Sequence, residues 1–379
     1  MVRLDNLALK SGDRFFILLP LMLFMICFAI PSFGEEASAG NLTKVEGTVK
    51  VIGSDGREHK GEAGLLLFPG DQISTGKDSA AWLMLDAGGE FRLGEDAQIA
   101  IGELTGADTE DSKPVLRLVI GYLWSRIKRV KAALRGPEIQ TSTAVIGIRG
   151  TEFDTVVSLD GTLAVAVDDG KVEVDTETTK LDLGSGKMIQ IEYDGRAGPT
   201  EKAVPREKRD WKAWRKSKVE RLVKNLPTAA PRFQRHFENA VQQAERFTSS
   251  INQKAEEIRS LMEELRRARA EKDRERIFQL KRRIQEDIQS FKNMVGKFRK
   301  AMNRVRAMGQ LSRRVENLFE ENRGKYSDQD IAVIKPSLIV IADKRTQLRD
   351  IFRTTVLNIK SAFKRLRTLK RESGSPIGQ

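Results

Sequence analysis

The feature that most constrains this chain is an abrupt change of texture at Ala197-Gly198-Pro199. Before it, glycine punctuates short runs in which apolar and polar residues alternate; after it, glycine nearly vanishes and apolar residues recur every three or four positions. A period of two suits half-buried strands, and a period near 3.6 suits helices with one apolar face. One chain therefore holds a β part and then an α part, and 379 residues are enough for two or three domains.

In the first part the alternating runs fall at 48–51, 81–85, 90–93, 98–101, 115–119, 163–167 and 171–174. Ser54-Asp55-Gly56, Asp86-Ala87-Gly88-Gly89, Asp160-Gly161 and Asp169-Gly170 separate them, and such pairs supply the positive-φ positions of tight connections. Many short strands with no long helix predict an all-β sandwich, roll or solenoid over 41–196.

The second part divides by its prolines and seams. Residues 197–230 read as a linker and a connecting helix, with Trp211 and Trp214 among many cations and Pro227 closing the helix. From Pro231, the positions Phe237, Ala240, Ala244, Phe247, Ile251, Lys254, Ile258, Leu261, Leu265 and Ala268 follow a 3,4 alternation. A second seam runs from Ile277 through Leu280, Ile284, Ile288, Phe291, Met294, Phe298, Ala301, Val305 and Met308 to Leu318. Asp273 is placed to cap the second helix, which predicts a tight hairpin, with one unbroken helix as the alternative. A last helix starts near Ser327 or Asp328, is disturbed by Pro336, and presents Leu338, Ile341, Leu348, Phe352, Ile359, Leu366 and Leu369 on one face. Three such stripes predict a long antiparallel helical bundle or coiled coil over 231–372, with 373–379 a disordered tail.

The N-terminus reads as an export signal: Arg3, Lys10 and Arg14, then an apolar run over 15–30, then small residues. The run holds 16 residues and includes Pro20, whereas a span needs about 20 apolar residues, so cleavage after Gly34 is expected, with an uncleaved anchor as the other reading. Either way the chain is exported to the periplasm or cell envelope. The single cysteine, Cys27, lies in that run, which leaves the mature chain without disulfide or thiolate chemistry.

Charge is as uneven as texture. Residues 1–200 carry 21 Lys and Arg against 30 Asp and Glu, a net of −9, and residues 201–379 carry 45 against 23, a net of +22. The basic half is expected to meet a polyanion or to dock on an acidic surface, which the first half itself could supply.

The stretch Thr141-Ser142-Thr143-Ala144-Val145-Ile146-Gly147-Ile148-Arg149-Gly150-Thr151-Glu152-Phe153-Asp154 resembles the core signature of FecR-domain proteins. Pro69 to Gly76, Leu163 to Val174 around Asp169-Gly170, and Leu183 to Met188 resemble the family's flanking turns and strands in the expected order, covering about 150 residues. The resemblance implies an all-β extracytoplasmic FecR-like domain. In signalling members that domain lies beyond a membrane helix and relays iron-siderophore status to a cytoplasmic anti-sigma segment. Only about 14 residues precede the apolar run here, too few for such a segment, and exported members with peptidoglycan-binding modules suggest an envelope scaffold instead.

Within the signature, Gly147 and Gly150 are expected to allow a bend or close approach, and Phe153 to fill the core. Thr151 completes the candidate set. Arg149 is read either as a clamp on local carbonyls or as a ligand for an anion. No catalytic address is visible: His59 and His236 lack a second metal ligand, Gly184-Ser185-Gly186 lacks a following helix, and no nucleophile elbow is present. The chain is read as a non-enzyme without cofactor or metal. Arg266, Arg267, Arg269, Lys281, Arg282 and Arg283 are the candidate polyanion contacts, against the plainer reading of a solvated helix face. Export disfavours nucleic acid and leaves an envelope protein, an anionic polymer or a lipid surface as partner, with a homo-oligomer through the coiled coil as a further option. The sequence thus predicts a non-catalytic envelope scaffold or binding module, with an extracytoplasmic signalling regulator as the alternative.

Overall fold

A computed structural model describes residues 38–86, 88–102, 115–127, 137–148, 150–176 and 178–372, without the side chains of 349–351 and 364–372. The export signal with Cys27, the signature's Arg149 and the 373–379 tail lie outside the described residues.

The strands are β1 (Gly40–Glu46), β2 (Val49–Ile52), β3 (Glu58–Lys60), β4 (Leu66–Leu67), β5 (Gln72–Thr75), β6 (Ala80–Leu85), β7 (Glu90–Leu93), β8 (Gln98–Ile101) and β9 (Val115–Arg126). They continue as β10 (Glu138–Gln140), β11 (Val145–Ile148), β12 (Glu152–Val157), β13 (Leu163–Asp169), β14 (Lys171–Asp175), β15 (Lys180–Gly184), β16 (Lys187–Ile191) and β17 (Glu201–Lys202). Two sheets result. One runs β4-β1-β6-β7-β9-β12-β13-β16-β17. The other runs β3-β2-β5-β8-β9-β10-β11-β14-β15 and contains a parallel pair, β9 with β10.

Strand β9 belongs to both. Its first half pairs with β8 and β10, and from Gly121 onward it pairs with β7 and β12. Gly121 makes the switch at φ +102°, a conformation L side chains rarely adopt, and a Cβ there would sit 2.2 Å from the Ala97 Cβ. The sequence reading ended this run at 119 and so missed the bend. Alternate residues of both sheets, among them Leu83, Phe91, Ile99, Leu123, Ile146, Phe153 and Val165, meet in a single core between them.

Three helices follow: α1 (Trp211–Ala270), α2 (Arg274–Glu321) and α3 (Asp328–Glu372). Asp210 caps α1 by accepting from the Ala213 amide at 2.8 Å, and Asp273 caps α2 by accepting from Arg276 at 3.0 Å. Ser327 and Asp330 exchange side-chain and backbone bonds at the start of α3, a capping box. The expected hairpin therefore forms where its polar break lies. Of its first seam, Phe237, Ala240, Ala244, Ile251, Ile258, Leu261, Leu265 and Ala268 are buried, joined by Val241 and Met262, while Phe247 and Lys254 are only half-buried. All three helices share the middle of the apolar core, from Phe237 and Phe298 to Phe352. Among the described residues, no helix is long and apolar enough to cross a membrane.

The break expected at Pro227 does not occur. The helix does not end at Pro227, so residues 211–230 belong to α1 rather than to a separate connector, and α3 runs on through Pro336. A proline lacks an N–H and leaves the carbonyl four residues earlier without its helical donor. For Pro227 that carbonyl is Val223, and the Tyr326 hydroxyl donates to it at 2.9 Å. Tyr326 itself packs against Phe319, with ring centroids 5.7 Å apart. Replacing Tyr326 with phenylalanine keeps the ring and removes the donor, so it is expected to cost about 1 kcal/mol and to speed amide exchange around residues 223–231. Unchanged exchange there would show that the phenol does not sustain the helix.

The basic half does dock on the acidic half. On α2, Lys300 pairs with Asp175 at 2.9 Å, Arg304 Nε donates to the Ser142 carbonyl at 3.1 Å, and Gln310 donates to Gln72 at 3.2 Å, all against the second sheet. The root of α1 lies on the outer face of the other sheet, where the signature ends.

Candidate functional site: an acidic face held by a basic strap

Phe153 faces the core, so its neighbours Glu152 and Asp154 face outward from β12. On the adjacent strand, Trp124 lies opposite Asp154 and Arg126 opposite Glu152. An aspartate inside a central strand goes against β propensity and needs compensation from its partners. Asp154 is fully buried and has three donors: Tyr122 Oη at 2.9 Å, Arg209 Nη1 at 2.8 Å and Trp211 Nε1 at 2.9 Å.

The last two come from a basic strap, residues 204–215, that leads into α1. Arg209 is the central cation: 5% of its side chain is exposed, and it also donates to Asp168 on β13 at 2.5 Å. Burial opposes its charge, yet Asp168 and Asp154 outweigh that and raise its pKa. Arg206 bonds Glu152, and its guanidinium lies 4.7 Å from the Trp124 ring centre, while Arg126 lies 4.8 Å from the same ring. Further along, Lys212 meets Glu95 at 2.9 Å and Arg215 meets it at 3.9 Å. Beside the strap an open cavity of about 700 Å³ carries Glu46, Asp78 and Glu95 on one side and Arg206, Lys212 and Arg215 on the other.

The electrostatics keep these groups in one protonation state. Burial and the neighbouring Asp154 carboxylate push the Tyr122 phenol far above its ordinary range, so it remains a donor. Burial alone would raise Glu152, but hydrogen bonds and charge from Arg126, with help from Trp124 and Arg206, hold it below the usual carboxylate range. A depressed carboxylate contributes stability that is complete above its unfolded value, near pH 4.3, and is lost as pH falls through the lower folded value. The strap is therefore expected to release as pH drops below about 4.3, read as a change in tryptophan emission from Trp124, Trp211 and Trp214. A Glu152→Gln variant should lack that acid transition; if it keeps it, Glu152 is not the titrating group.

The other signature residues are placed around this face. Thr151 Oγ1 donates to the Lys171 carbonyl at 2.9 Å, and the Thr151 carbonyl accepts from Ile127 at 2.9 Å, so this residue ties β9, β12 and the β14 turn together. Gly150 has φ +62°, and its carbonyl lies 2.4 Å from where a Cβ on Gly170 would sit. Gly147, in contrast, sits in regular β11 with a negative φ, and an added Cβ would meet Glu173 at an ordinary 3.7 Å; the bend expected there is not present. Arg266, Arg267, Arg269, Lys281, Arg282 and Arg283 gather near the α1–α2 turn, where Arg282 pairs with Glu286 at 3.2 Å. They do not reach the β domain's site. The sequence reading missed Glu152, Asp154, Arg206, Arg209 and Trp211. The usable signal was the outward phase of 152 and 154 around Phe153, beside a cation run ending in tryptophan.

Residues 71–173 match the family model described as FecR protein, so the resemblance drawn from the motifs stands for this part of the chain, which carries a FecR domain. No curated protein matches the chain. Two crystal structures of a Parabacteroides distasonis protein described as an anti-sigma factor resemble it at 18% identity and a TM-score of 0.30, covering 35% of this chain and 59% of that one. The chain thus spans less than two thirds of that protein.

Proposed function

We infer that this FecR-domain protein is a non-catalytic regulator acting outside the cytoplasm, in which the β domain receives a protein signal and the helices carry it onward. The observation behind this reading is that the signature's own carboxylates, Glu152 and Asp154, hold the strap that roots α1. A partner that competes for these carboxylates, or that reshapes β12, shifts the strap between docked and released states. The lever is long: the 60 residues of α1 correspond to about 90 Å at 1.5 Å per residue. The match of residues 71–173 to the FecR family model supports the same reading. Transcript profiling of a strain lacking the protein, under iron-replete and iron-starved conditions, is expected to show altered expression of outer-membrane uptake genes. Unchanged transcripts in both would reject the regulator.

A second reading, an envelope scaffold, is favoured by the hairpin tip. There the cations Arg266, Arg267, Arg269, Lys281, Arg282 and Arg283 flank Phe278 along the chain, and its exposure is 66%. Cations around an exposed aromatic suit an anionic lipid or polymer surface. Salt-sensitive retention of the protein on anionic liposomes or purified wall material is its expected result, and no retention on either excludes it.

A further inference from the structure

The third helix differs from the other two near its start. The stretch Ile331-Ala332-Val333-Ile334-Lys335-Pro336-Ser337-Leu338-Ile339-Val340-Ile341-Ala342 is apolar all round except at Lys335 and Ser337. A helix of that kind is normally covered on every side. Within the chain one side is covered: Ile334, Leu338 and Ile341 are buried, the first two in a cluster with Leu222 and Leu226 of α1 and Phe319 of α2. On the other side Val333 is 45% exposed and Ile339 is 49% exposed. Ala332 and Pro336 are exposed beside them, and Val340 is half-buried. Among the described residues, α1 and α2 together expose one large apolar side chain, Phe278. Charge marks the same side of α3. Lys335 and Asp343 stand four residues before and four after Ile339, a spacing that sets all three along one face. Both charged residues are exposed, and neither side chain has an ion pair or hydrogen bond among the described residues.

We propose that this side of α3 is a dimer interface, covered in solution by the same helix of a second copy lying antiparallel to it. The row Lys335, Ile339, Asp343 reads cation, aliphatic, anion, so the same row turned end to end is its own complement. A two-fold axis beside Ile339 sets that residue against the partner's Ile339 and brings Lys335 alongside the partner's Asp343. Rows of this spacing are the ridges through which packed helices interlock. Val333, Pro336 and Val340 flank the row, and their contact removes apolar surface from water on both copies. An unrelated partner would need to carry this pattern separately, whereas a second copy has it by construction, because a two-fold contact uses one patch twice. An anionic lipid surface is a poorer occupant, since it repels Asp343. The stripe shares no residue with the Glu152 and Asp154 face or its strap, so the dimer stands or falls apart from the regulatory reading.

Sedimentation and light scattering of the full chain are expected to give a dimer. Ile339→Glu places two carboxylates together at the two-fold axis and should weaken association on the order of a hundredfold, leaving monomer. Its position is exposed in the single chain, so the monomer keeps its helical content by circular dichroism. Lys335→Glu and Asp343→Lys should each weaken the dimer roughly tenfold, and the two together should restore it, because the exchange returns opposite charges to the same pair. Leu357→Glu and Phe278→Glu are the controls. Those residues are more exposed than Ile339, at 58% and 66%, and Leu357 lies about 27 Å further along α3 at 1.5 Å per residue, so both variants should remain dimeric. In a Cys27→Ser background, Ile339→Cys should oxidise to a covalent dimer and Phe278→Cys should not. A chain that stays monomeric, a dimer that survives Ile339→Glu, an equal loss in Leu357→Glu, or a charge exchange that restores nothing would each overturn the proposal.

Discussion

Replacing Asp154 with alanine is expected to cost about 3–5 kcal/mol of stability, the range seen when one member of a buried ion pair is deleted. The carboxylate is fully buried and serves three donors at once, Tyr122, Arg209 and Trp211. Without it Arg209 keeps Asp168 and the Val204 carbonyl, and the phenol and indole lose their acceptor. The strap can escape part of this penalty by lifting into water, so the largest local change should be faster amide exchange over residues 206–215. Denaturant unfolding gives the global loss, and a value below about 1 kcal/mol would mean that Asp154 is hydrated rather than desolvated. Arg209→Ala should cost a similar amount, and the double variant much less than the two together, because both changes remove the same pair. Asp154→Leu combined with Arg209→Met, which replaces the pair with apolar groups, is expected to cost less than either single alanine change, the residual loss coming from the Tyr122 and Trp211 donors and the Asp168 carboxylate left behind. That outcome would place the value of the pair in positioning α1 rather than in holding the fold together.

What the sequence conveyed depended on how far apart the interacting residues lie. Strands bounded by glycine-bearing connections, such as 90–93 and 98–101, were legible because alternation and turn residues are local signals. The helical seams were legible for the same reason, since positions three and four apart fix which face is apolar. Pro227 misled because its remedy, the Tyr326 hydroxyl, lies 103 positions from the Val223 carbonyl that it satisfies. Glu152 and Asp154 were passed over because their strap partners sit 54, 55 and 57 residues downstream. The phase of the signature was nonetheless available: once Phe153 is assigned to the core, its neighbours must face out.

The bend in β9 gives the other large effect. Gly121→Ala forces an L side chain to φ +102° and puts its Cβ 2.2 Å from the Ala97 Cβ and 2.5 Å from the Ala97 Cα. Backbone strain of about 1–3 kcal/mol and overpacking of about 1–3 kcal/mol add to roughly 2–6 kcal/mol, because no rotamer moves a Cβ away from a backbone atom. Relief through Ala97→Gly should be partial, since it removes one of the two obstructing atoms and leaves the Cα. The damage should also spread to the strap. From Gly121 onward β9 sets the register that puts Tyr122 and Trp124 beside β12, and those two side chains hold Asp154 and Glu152. Gly147→Ala is the internal comparison: it adds the same methyl to a glycine of the signature, but at a negative φ with 3.7 Å of clearance, and is expected to cost less than about 1 kcal/mol. Denaturant unfolding of the two variants side by side decides the matter. If Gly121→Ala proves as mild as Gly147→Ala, the sheets are not joined through a conformation that only glycine provides.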